Sequence, residues 1–88
     1  MVQNNDPDFL EAFYKAYPGF LEKLKAINES IVPTEMEFCA LLKLNIPTKE
    51  IARYKNIEPR SVQTKKYRIR KKLNIPGSED IYFWFNKI

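Results

Sequence analysis

The chain has 88 residues, 44% hydrophobic and 14% aromatic, with 15 Lys and Arg against 11 Asp and Glu for a net charge of +4. At this length it forms one domain burying about 60–65% of its unfolded surface, and two Gly with no low-complexity run exclude a mainly disordered chain. The absence of His removes the usual general base and the commonest metal ligand, and no Gly-rich phosphate loop is present, so no enzymatic activity, cofactor or metal site is expected.

Asp6-Pro7-Asp8 reads as a helix start, with a capping acid, Pro at the first helical position and an acid in the first turn. Phe9, Leu10, Phe13, Tyr14 and Tyr17 then recur at helical spacing, and Pro18 breaks that helix. A second short helix sets Phe20, Leu21, Leu24 and Ile27 on one side, and Asn28 to Ser30 is a polar linker. A third runs from Pro33 to about Leu44 with Phe38, Cys39, Leu41 and Leu42 inward, and Asn45 ends it in a left-handed conformation. The fourth, from about Thr48 to Tyr54, buries Ile51 and Ala52; Lys55-Asn56-Ile57 forms a turn with Ile57 as its apolar plug. Pro59 opens the fifth helix, which continues to about Leu73. Pro76-Gly77-Ser78 separates it from a last helix, capped by Ser78, with Ile81, Trp84, Phe85 and Ile88 as its apolar stripe. The fold class is therefore all-α, with about six helices.

Cys39, the single cysteine, excludes an internal disulfide and suits a reducing compartment; on an apolar helix face it acts as a small buried hydrophobe. No apolar run approaches the ~20 residues that span a bilayer, and no signal-peptide core is present, so this segment is expected to make no membrane contact and to be cytoplasmic, or the cytoplasmic part of a larger protein.

Charge is distributed unevenly. Arg60, Lys65, Lys66, Arg68, Arg70, Lys71 and Lys72 fall within one helix without an acid, while the rest of the chain holds eight basic and 11 acidic residues. Exposed basic helices normally alternate with acids at i,i+4, and this one does not. Such a one-sided charge is the footprint of a polyanion partner, with double-stranded DNA the leading candidate. At 100° per residue Val62, Ile69 and Leu73 share the inward face, and Arg60, Gln63, Thr64, Tyr67 and Lys71 lie opposite. Gln pairs with adenine in bidentate fashion, and Thr and Tyr meet base acceptors or a thymine methyl. Lys65, Lys66, Arg68 and Lys72 lie on the flanks, where phosphates pass.

The segment VPTEMEFCALLKLNIPTKEIARYKNIEPRSVQTKKYRIRKKLNI resembles the LuxR/GerE-type helix-turn-helix domain of bacterial transcription regulators. Pro33, Glu35, Lys49-Glu50-Ile51-Ala52, Ile57, Ser61-Val62, Ile69 and Lys72-Leu73 stand at that family's characteristic positions. The match runs from about Ile31 to Ile75, and the last helix fits more loosely. Val32 departs from the usual capping Thr, a loss of ~0.5–2 kcal/mol unless Glu35 or the upstream helices compensate; Pro47 and Lys65 replace a common Ser and His. The resemblance implies a LuxR-like four-helix core over 31–88, preceded by one or two extra helices in a 1–30 extension. It implies base contacts from Gln63, Thr64 and Tyr67, and phosphate contacts from Lys49, Arg60, Ser61, Lys65, Lys66, Arg68 and Lys72. It further implies a homodimer on DNA through Tyr82 and Phe83 in the last helix. The Phe-rich start and the CALLKLN wording are similar to output domains of larger bacterial sensor-regulators, which implies a fused sensor domain in a longer parent. Two other readings are a promoter-binding module like region 4 of a sigma factor, and a helix-turn-helix protein-interaction module without DNA binding. The first needs a polymerase-binding domain for which 88 residues leave no room, and the second needs an interrupted basic run.

Overall fold

The computed structural model describes residues 7–88. Six helices and no strand occur among the described residues: α1 (Pro7–Ala16), α2 (Phe20–Ile27), α3 (Pro33–Lys43), α4 (Thr48–Lys55), α5 (Pro59–Lys72) and α6 (Ile81–Asn86). Asp6, read as the cap of α1, lies outside the described residues.

The centre is α3. Every residue from Met36 to Leu42 is buried, so this helix is enclosed on all sides rather than along one stripe. It packs against α6 and α1, while α4 and α5 pack on each other. Phe13, Phe20 and Leu24 of the N-terminal helices share one hydrophobic cluster with Phe38, Leu42, Ile51, Val62, Leu73 and Phe85. Rings join the two segments: Phe9 lies 6.0 Å from Tyr54, and Phe20 lies 6.1 Å from Phe85. Two residues placed on those inward stripes are instead exposed, Tyr17 at 37% and Ile27 at 40%. Tyr17 follows the end of α1, so the helical spacing no longer applies; its ring covers Phe13 at 4.8 Å and takes the Lys43 ammonium at 5.5 Å. Ile27 is the last residue of α2, where the chain turns away to Asn28.

The helix ends are built alike. Asn45, Asn56 and Asn74 adopt positive φ of 62°, 57° and 57°, and each is followed by Ile. In each case the Asn N–H bonds three residues back, to Leu42, Arg53 and Lys71 respectively. The Ile N–H bonds five residues back, to Leu41, Ala52 and Arg70 at 3.1, 2.9 and 2.9 Å. This is the Schellman closure with Asn in place of Gly, and it tucks an isoleucine under each helix end. Proline then begins or precedes the next element at Pro47, Pro59 and Pro76.

At the other ends, α3 has no capping side chain because Val32 offers no acceptor. Glu35 substitutes: its Oε1 accepts the Val32 N–H at 3.0 Å. The cap of α6 is Asp80, whose Oδ2 accepts the Phe83 N–H at 3.0 Å. Ser78, read as that cap, stands in the preceding turn, because α6 starts at Ile81 and a cap must immediately precede the first helical residue.

Glu37 is the buried acid of α3, only 7% exposed, and it forms an ion pair with Lys55 at the end of α4. The Tyr54 hydroxyl also reaches its Oε2 at 3.4 Å. A buried pair stabilises little over apolar replacements but is strongly destabilising when half of it is removed. Glu37→Ala should cost ~3 kcal/mol and lower the melting temperature by more than about 10 °C. Glu37→Met combined with Lys55→Met should recover most of that loss in the same thermal melt.

Candidate nucleic-acid interface

The 14-residue α5 presents two distinct faces. Val62, Ile69 and Leu73 are 0%, 3% and 2% exposed and seat the helix on the core. Arg60, Ser61, Gln63, Thr64, Tyr67 and Lys71 are exposed on the far side and the shoulders, with Tyr67 at 59%. The Thr64 hydroxyl donates back to the Arg60 carbonyl at 3.3 Å, which uses its hydrogen and leaves its oxygen as an acceptor. The Lys71 ammonium lies 5.2 Å from the centre of the Tyr67 ring. Lys49 is exposed in the first turn of α4.

The cations of α5 fall into two groups. Arg60, Lys65 and Arg68 are exposed and make no side-chain hydrogen bond or ion pair among the described residues. Lys71 is likewise exposed, over the Tyr67 ring of its own helix, and the remaining three are engaged within the fold. Lys66 Nζ donates to Thr48 Oγ1 at 2.5 Å and lies 4.8 Å from the Tyr82 ring centre. Arg70 Nη1 donates to the Pro76 and Glu79 carbonyls at 3.1 and 2.9 Å, clasping the loop ahead of α6. Lys72 pairs with Glu35 at 2.7 Å. Of the residues expected at phosphates, then, Lys49, Arg60, Ser61, Lys65 and Arg68 stand in solvent, while Lys66 and Lys72 are half-buried with partners of their own.

Glu35 joins two elements through one oxygen, which caps α3 and also takes the Lys72 ammonium at the end of α5. Partial burial disfavours its charge, but the hydrogen bonds from Lys72 and the Val32 N–H, with the charges of Lys72 and Lys65, outweigh burial and hold its pKa below the ordinary value of 4.5. Below Lys65 and Arg68 an open cleft of about 350 Å³ runs between α5 and the start of α3, lined also by Val32, Glu35, Phe38 and Ile69. One turn further along α3, burial foremost, reinforced by the Glu35 charge, pushes the Cys39 thiol far up, so it stays protonated as core material.

In α6 the two residues expected at a dimer contact separate. Phe83 is 57% exposed, with the Lys87 ammonium 5.1 Å from its ring centre. Tyr82 is turned inward: its hydroxyl donates to the Ile46 carbonyl at 2.7 Å and its ring lies under Lys66. Spacing along the chain did not reveal Thr48 or Tyr82 as partners of Lys66, nor Glu35 as the partner of Lys72, since they come from other helices. No cluster of potential metal ligands occurs among the described residues, and no described helix is long and apolar enough to cross a membrane.

The lowered pKa of Glu35 fixes the sign of a pH effect. A carboxyl whose folded value lies below its unfolded value contributes stability above the unfolded value and loses it as pH falls through the folded one. Glu35→Gln should therefore lower the melting temperature at pH 7, and the difference from wild type should shrink as the pH falls from about 5 to about 3. A gap of constant size over that range would assign the loss to packing instead. Comparison with protein-family models, curated proteins and solved structures finds no match for this chain.

Proposed function

We infer that this chain binds double-stranded DNA sequence-specifically as the output domain of a bacterial transcription regulator, with α4 and α5 as a LuxR-like helix-turn-helix and α5 in the major groove. The observation that carries the reading is the outer surface of α5. It is solvent-exposed, free of acids, and combines Arg60, Gln63, Thr64, Tyr67 and Lys71 while Val62, Ile69 and Leu73 anchor its back. A helix of 14 residues is about 21 Å long and of a diameter that a major groove admits. Gln63, Thr64 and Tyr67 read bases in this arrangement, and Lys49, Arg60, Ser61, Lys65, Lys66, Arg68 and Lys72 meet phosphates. The short α4–α5 connection, closed by Asn56 in a left-handed conformation with Ile57 behind it, suits the sharp turn such a unit requires.

Pairing on DNA centres on Phe83, the large apolar side chain that α6 leaves in solvent. A contact of that size is below what a stable solution dimer needs, so the chain is a monomer when dilute and pairs on an inverted-repeat site, where DNA supplies the effective concentration. A cytoplasmic location and a fused sensor domain in a longer parent complete the proposal.

Titration against duplex DNA at two or more salt concentrations tests it. Affinity should fall with log salt at ~0.9 per phosphate neutralised, and Arg68→Ala should weaken binding equally on all sequences while reducing that slope by about 1. Gln63→Ala should instead lose ~1–3 kcal/mol on the preferred site alone, once selection from a random pool has identified it. Phe83→Asp should abolish cooperative binding to a two-half-site duplex and spare a single half-site. Binding too weak to respond to salt would favour a protein-interaction module instead.

A further inference from the structure

Lys65 and Lys66 are chemically identical neighbours that the fold treats in opposite ways. Lys65 is exposed with no hydrogen-bond partner among the described residues, whereas Lys66 is half-buried and held at its charged end from two sides. Its Nζ donates to Thr48 Oγ1 at 2.5 Å, on the first residue of α4, and sits 4.8 Å from the centre of the Tyr82 ring. Tyr82 is itself fixed, because its hydroxyl donates to the Ile46 carbonyl at 2.7 Å. Ile46 in turn is fixed by its N–H bond to Leu41 at 3.1 Å, and α6 is fixed by its Asp80 cap. Three elements therefore meet at one ammonium group, the start of α4, the middle of α5 and the first turn of α6, and the Ile46 carbonyl between α3 and α4 fixes the Tyr82 ring.

A lysine on the protein surface samples many rotamers, and ordering it on binding opposes affinity. An ammonium already stacked on an aromatic face and bonded to one hydroxyl has lost that freedom before any ligand arrives, yet retains donor hydrogens for an anion. Lys49, the residue after Thr48, is exposed in the same first turn of α4. Among the described residues no acid is paired with Lys66, which distinguishes it from Lys72 with Glu35 and from Lys87 with Glu79.

We propose that Thr48 and Tyr82 are positioning residues that hold the Lys66 ammonium at the edge between α4 and α5, ready to meet a backbone phosphate of duplex DNA. The assignment rests on the DNA-binding reading above and makes α6, through Tyr82, part of the support behind the binding surface. Neither residue touches DNA in this arrangement; each acts through Lys66.

A double-mutant cycle on duplex binding tests it, with the full chain, a duplex of fixed sequence and a temperature well below every variant's melting transition. Thr48→Val and Tyr82→Leu should each weaken binding ~3- to 5-fold in the background that retains Lys66. In the Lys66→Ala background the same changes should weaken it less than about 1.5-fold, because the group they position is gone. Lys66→Ala should lower the salt slope by about 1, whereas Thr48→Val and Tyr82→Leu should leave it unchanged, since the phosphate is still met. Lys65→Ala combined with Tyr82→Leu should be additive. Equal losses in both backgrounds would overturn the assignment and place Thr48 and Tyr82 in the fold alone, as would the absence of any loss from either change. If the unaltered chain showed no salt-dependent duplex binding, the DNA reading itself would fall, and this assignment with it.

Discussion

Mutual repulsion among seven cations on one helix is the constraint around which the rest of this molecule is arranged. Nothing within α5 relieves it, and the apolar edge available to dock the helix consists of Val62, Ile69 and Leu73. The fold answers with contacts drawn from elsewhere. Glu35 of α3 takes Lys72, two backbone carbonyls ahead of α6 take Arg70, and Thr48 with the Tyr82 ring takes Lys66. The cations so engaged lie on the shoulders, near the packed face. Those left in solvent, Arg60, Lys65, Arg68 and Lys71, keep the charge that a polyanion would neutralise. Docking the helix and leaving it charged are met by dividing the cations between two neighbourhoods.

Such an arrangement requires that the helices arrive at fixed angles, and the recurring Asn-Ile ends provide that. Each Asn accepts a left-handed conformation that most residues resist, which turns the chain sharply within two residues. The following Ile anchors the turn to the core; Ile75 is buried, and Ile46 and Ile57 are half-buried. Because the bond pattern is the same at all three ends, α3, α4 and α5 end in the same way, and the connections are short. Asn28 adds a cross-tie: its side chain donates to the Lys72 carbonyl at 3.2 Å, tethering the linker after α2 to the C-terminus of α5.

The N-terminal helices form part of the same packing unit. Phe13, Phe20 and Leu24 are buried in the shared core, and Phe20 meets Phe85 of α6. The Lys43 ammonium donates to the Phe85 and Ile88 carbonyls at 3.1 and 2.9 Å at the end of α6. Thus α6 is held by Lys43 and Phe20 and by the Tyr82 bond to Ile46, while Phe83 stays exposed beside Lys87.

Sequence alone was sufficient for the all-α class and for most helix boundaries, because Pro at the first turn and Asn at the last act within a few residues of the chain. It was sufficient as well for the inward face of α5, since Val62, Ile69 and Leu73 stand at helical spacing. It misplaced the cap of α6, where Ser78 and Asp80 both suit the chemistry and only the start of the helix separates them. It misjudged Tyr17 and Ile27, which follow a helical pattern just where the helix ends. The one-sided charge of α5 was legible, but the fates of its individual cations were not. Lys72 meets an acid 37 positions earlier, and Lys66 meets Thr48 18 positions earlier. Helical periodicity is a property of neighbours along the chain, whereas ion pairs and ring contacts depend on which helices are brought together. That choice is made by burial of α3 on all sides, and it was decided only in the tertiary structure.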